Sequence, residues 1–169
     1  MAIGAQGAAV FVDDQEDVCR LCFAAQVPIS RDAQHPNQID DEGFIRLEEI
    51  AWLDLTEKGF SLVRRHLYSV AKGEGEAARR DEKRRAKGQE ARYQLAGTLI
   101  VRAANIKAIS DDEGAQVFNV LATPTAEEEA HAEIKFAQAI PRNQFLRFRQ
   151  ALRAVLGTLH DKTVLDPVA

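Results

Sequence analysis

The sequence predicts a single α+β domain: a small, mostly antiparallel sheet with flanking helices and a C-terminal amphipathic helix. Three observations predict it. Residues 116–123 and 131–137 carry the two-residue alternation of strands, whereas residues 142–156 place Phe145, Phe148, Leu152, Val155 and Leu156 at i, i+3, i+7, i+10 and i+11, the spacing of one helical face. The length, 169 residues, suits one core and leaves little chain for a second. A chain of this size buries roughly 70% of the surface its unfolded form exposes, so folding requires no disulfide or metal staple.

Taken in order, residues 8–12 are expected to form a short strand. Residues 13–25 open on acidic side chains and then set Val18, Leu21, Cys22 and Ala25 at helical spacing, which predicts a helix with Asp13 or Asp14 as N-cap. Residues 27–41 hold Pro28 and Pro36 and read as an ordered loop, because the residue before each proline is pushed to extended geometry. Phe44, Ile45, Leu47, Ile50, Trp52, Leu53 and Leu55 mix the two periods and predict a strand and a short helix, the boundary left open. Lys58-Gly59 is a turn, and a strand follows from Phe60. Residues 71–92 contain almost no large apolar side chain, so they are expected not to dock on the core but to form a charged arm: a solvated helix, a hairpin or a mobile loop.

Residues 93–103 regain strand character, residues 105–109 form one helical turn, and Asp111-Asp112-Glu113-Gly114 is a turn. The strand over 116–123 is apolar on both faces and is expected to be central. The strand over 131–137 sets His131, Glu133 and Lys135 opposite Ala132, Ile134 and Phe136, which predicts one wet face. Pro141 and Gly157 bracket the last helix, and residues 158–169 read as a weakly anchored tail.

Composition narrows the function classes. Hydrophobic residues make up 46% and charged residues 28%, which excludes a disordered chain. With 22 Lys plus Arg against 26 Asp plus Glu, the net charge of −4 argues against coating nucleic acid with the whole surface. Residues 1–12 lack the charged start of a secretory signal, and no apolar run approaches the roughly 20 residues of a membrane span. A cytoplasmic protein without membrane contact is expected.

Three groups of residues bear on chemistry. Cys19 and Cys22, followed by His35, have the spacing of three zinc ligands, but a closed site needs four and no histidine lies within three to five residues of His35. Neither metal nor other cofactor is expected. His35 and His131, with Glu133 on the strand face of His131, are the candidates for acid and base work in a small hydrolase. No nucleophile elbow, phosphate loop or dinucleotide fingerprint accompanies them. Between Arg79 and Arg92, seven cations (Arg79, Arg80, Lys83, Arg84, Arg85, Lys87, Arg92) face three anions, a pattern suited to a phosphate backbone or an acidic protein partner. The C-terminal helix adds Arg142, Arg147, Arg149 and Arg153.

The segments His35-Pro36-Asn37, Phe60 to Val63 and Ala130-His131-Ala132-Glu133-Ile134 resemble those of small bacterial proteins of unassigned function. The resemblance implies a compact α+β domain in a bacterial cytoplasm and transfers no activity; residues 71–92 stand outside it as an insertion. The leading expectation is a non-catalytic accessory or protein-interaction module in a bacterial multi-protein system. A nucleic-acid-associated protein using the basic arm and a small hydrolase using His35 and His131 are the alternatives.

Overall fold

The computed structural model describes residues 10–25, 38–88 and 93–166. Its strands are β1 (Asp17–Ala25), β2 (Phe60–Arg64), β3 (Tyr93–Arg102), β4 (Phe118–Ala122), β5 (His131–Phe136) and β6 (His160–Asp161). They form one sheet in the order β4-β5-β2-β1-β3-β6, every neighbouring pair antiparallel. The helices are α1 (Val70–Ala86), α2 (Ala103–Lys107) and α3 (Phe145–Leu156). The expected α+β class, with its antiparallel sheet, flanking helices and C-terminal amphipathic helix, is therefore the observed one.

Each sheet face carries its own apolar cluster. On the first, Val18, Cys22, Phe60, Leu62, Leu99, Val120 and Ile134 pack under Phe148, Leu152 and Leu156 of α3, Ile106 of α2, and Ile39, Ile45, Ile50 and Leu55 from the segment before β2. That segment is built of a 3-10 turn at Leu47–Glu49 and a π-helical turn at Asp54–Lys58. Its strand content is limited to single bridges, Ile39 with Ile45 and Phe44 with Thr158. Gly59, with φ +87°, ends the π turn in a conformation that favours glycine. On the second face, Cys19, Phe23, Val63, Tyr68, Leu95 and Ala130 pack against Ala77 of α1 and Leu165.

Four expectations are corrected. Residues 17–25 are strand β1, not part of a helix: with both faces buried, the strand has no polar alternation, and its apolar residues coincide with helical spacing. The arm 71–92 docks where it forms α1, because small residues do the packing. Gly73 and Ala77 are buried, and Arg80 lays its guanidinium 4.4 Å from the ring centroid of Phe23. Strand β4 is not central. It ends the named order, with residues 10–12 alongside it through Val12 N–H to Val120 O (2.9 Å) and Ala122 N–H to Val10 O (2.7 Å). Finally, the tail is anchored as far as Asp166, by β6 on Gly97 and Thr98 of β3, by fully buried Leu165, and by the Asp166 carboxylate accepting from the Val70 amide at 2.9 Å. Backbone pairing achieves this with few apolar side chains.

Candidate functional site

The ladder between β1 and β2 is short: Val18 pairs with Arg64 and Cys19 with Val63. The amide of Arg64 donates to Ala130 O at 2.8 Å, so by the two-residue period Val63 and Ser61 turn their backbone groups toward β1. Continued in register, the ladder would set Leu21 against Ser61. Instead β1 runs on with β3 and β2 runs on with β5, and the two strands part. Arg20 takes over the lost bond, donating from Nη1 to the Ser61 carbonyl at 2.8 Å while its guanidinium lies 4.3 Å from the Phe60 ring centroid.

A cavity of about 500 Å³ opens at this split. Arg20, Leu21 and Phe23 form its β1 wall, and Gly59, Ser61 and Val63 its β2 wall. Tyr68, with Glu76 and Arg80 of α1, closes the second face; Thr125, Glu127, Glu128 and His131 line the far end; Gln38 and Asp54 complete it. Both charge signs are therefore present. Burial lowers the pKa of the Arg20 guanidinium, with Glu49 and Asp54 opposing this at longer range. Burial pushes the Tyr68 phenol up to about 12, and the nearby Glu128 and Glu76 add to the effect. Burial also raises the carboxyl of Glu76, but the bonds it accepts from Arg79 and Arg80 outweigh this and hold it below its ordinary value.

The expected acid and base residues have local partners. His131 lines the cavity, and its Nδ1 lies 2.7 Å from Thr123 Oγ1 and 3.1 Å from Thr123 O. Glu133 is 9% exposed, which corrects the expectation of a wet face on β5; it pairs with Lys135 at 3.4 Å and lies against Gly59. Among the described residues no hydrogen bond joins Glu133 to His131. His35 lies outside the described residues.

Cys19 and Cys22 point to opposite sheet faces, since residues three apart on a strand must, so the two thiols do not converge on an ion. Burial pushes each thiol up to about 12.

The basic residues of α1 are partly committed within the helix: Arg79 and Arg80 to Glu76 at 2.8 and 3.2 Å, Arg85 to Asp81 at 2.8 Å. Lys83 and Lys87 are exposed, Arg84 is half-buried, and Arg92 lies outside the described residues. The arginines of α3 hold the fold together. Arg147 pairs with Asp112 at 2.6 Å, Arg149 donates to Leu47 O at 3.2 Å, and Arg153 joins Asp40 and donates to Ile45 O at 2.9 Å. Arg142 lies over the Trp52 ring.

Sequence reasoning missed Arg20, Ser61, Tyr68 and Glu76 as cavity residues. One signal was present: Arg20 is the lone charge within the apolar run from Val18 to Ala25. No protein-family model, no curated protein and no solved structure matches this chain.

Proposed function

We propose that this protein is a non-catalytic interaction module that takes an extended segment of a partner protein into the cleft where β1 and β2 part. The observation that carries this reading is the end of the β1–β2 ladder at Cys19 and Val63, which leaves the backbone of Leu21 and the amide of Ser61 turned toward a shared gap, the Ser61 carbonyl accepting from Arg20. A peptide strand entering such a gap gains main-chain hydrogen bonds for affinity and uses the flanking pockets for specificity. The mixed lining of Arg20, Arg80, Glu76 and Glu128 suits a peptide bearing both charge signs better than a nucleic-acid backbone. The local bonds of His131 to Thr123 and of Glu133 to Lys135 give both residues a structural role beside the cleft.

The test is affinity capture by the full chain from cells that express it, with and without nuclease, beside the variant Ser61→Trp, which fills the cleft from an exposed position. A partner retained after nuclease treatment and lost with Ser61→Trp is the expected result. Capture unchanged by Ser61→Trp refutes the cleft as the docking site. Capture abolished by nuclease moves the function to nucleic acid and to Lys83 and Lys87 of the basic segment.

A further inference from the structure

We propose that Arg20 is the carboxylate-binding residue of the cleft and grips an Asp or Glu side chain of the docked segment; this rests on the peptide-docking reading above. The surrounding arginines are satisfied by carboxylates: Arg64 by Glu16 at 2.6 Å, Arg65 and Arg102 by Asp17 at 3.1 and 3.8 Å, and Arg80 by Glu76 at 3.2 Å. Arg20 differs. Among the described residues no carboxylate lies within 4 Å of it, and Glu49 and Asp54 act on it only at longer range. Among the described residues its one hydrogen bond goes to Ser61 O, which leaves most of its five N–H donors for a ligand. The side chain is half-buried, and a guanidinium in that setting with no carboxylate in contact gains charge-assisted bonds from an arriving anion.

The cavity also restricts the anion. A phosphate is disfavoured, because Asp54, Glu76, Glu127 and Glu128 line the same cavity and repel a dianion more strongly than a monoanion.

The test uses the immobilised full chain and pools of nine-residue peptides, acetylated and amidated at their ends, random except for a central Asp, Glu, Asn or Gln. The acidic pools are expected to be retained at least tenfold more than the amide pools, and Arg20→Lys to reduce them to the amide level. In the unsubstituted protein the Arg20 Nε–H resonance is expected to shift when the Asp pool is added, a readout that stands even if Arg20→Lys fails to fold. Equal retention of acidic and amide pools, lost with Ser61→Trp, overturns the carboxylate grip and leaves peptide docking standing. A shift of the Arg20 resonance by succinate, with no pool retained, keeps the carboxylate grip and overturns peptide docking. No retention and no shift overturns both.

Discussion

Helix α1 reaches the sheet through a glycine, and replacing that glycine sets two known effects against each other. Gly73 is buried in α1, and a Cβ built there meets Leu95 Cδ2 at 2.5 Å, about 1 Å inside ordinary contact. Gly to Ala within a helix is worth about 1 kcal/mol of intrinsic propensity. Forcing a methyl against a fully packed neighbour costs about 1–3 kcal/mol, and Leu95 is itself buried and has little room to retreat. The clash should win, so Gly73→Ala is expected to lower stability by about 1 kcal/mol, a Tm drop of roughly 2–4 °C for a chain of this length. Gly75, two residues along the same helix, is the control: its added Cβ meets only Arg79 Nη1 at 3.7 Å, and Gly75→Ala should stabilise by up to about 1 kcal/mol. In a Leu95→Ala background, which alone costs about 2–5 kcal/mol, Gly73→Ala should change sign and become stabilising. Urea denaturation followed by circular dichroism gives all five stabilities. If Gly73→Ala stabilises the otherwise unchanged protein as much as Gly75→Ala does, α1 is not seated on Leu95 and the docking argument fails.

The remaining predictions concern charge, backbone and thiols. The bidentate bond from Arg64, the largest influence on Glu16, holds the Glu16 carboxyl below its ordinary value of 4.5. Its contribution is thus complete above that value and lost as pH falls through the lowered one. Glu16→Gln is expected to cost about 1 kcal/mol at pH 7 and nothing near pH 2, measured by thermal melts across pH; a pH-independent cost refutes the pairing. Gly59→Ala sets a Cβ 2.0 Å from Glu133 Oε2 at a positive φ and should lose at least about 2 kcal/mol, only partly recovered by adding Glu133→Ala, since the backbone strain remains. Full recovery in the double variant would show that strain plays no part. Cys19 and Cys22 are expected to resist a disulfide thiol reagent at pH 8 in the folded protein and to react together in denaturant; rapid reaction of either in the native state would contradict their burial.

Much of the sheet is legible in the sequence wherever a strand has one face buried and the other more open. Strand β5 reads as a strand because Ala132 and Ile134 alternate with the polar His131, Glu133 and Lys135, and α3 reads as a helix because Phe148, Leu152 and Leu156 face one core. Strand β1 does not read as one, because Val18 and Cys22 meet one cluster while Cys19 and Phe23 meet the other, leaving no polar phase to count. The docking of α1 is invisible for a different reason. Hydrophobicity measures side chains, and Gly73 packs by having none. The cleft depends on where a ladder stops, and the pairing of residues more than forty positions apart decides that; Arg20 alone, a charge inside an apolar run, marks the place.

The position of β1 also governs how this protein comes into being. An early segment of the chain is sealed between β2 and β3, and its longest partner strand ends at Arg102. At about 5–20 residues per second, a ribosome needs roughly 4–15 s after making Ala25 to deliver that partner. Throughout this interval Val18, Cys19, Cys22 and Phe23 lack their longest partner strand, and α3, which covers the first face, is made later still. The charged stretch that becomes α1 is made within the same interval, so the layer that seats Gly73 and Ala77 on the second face is present before β3 is complete.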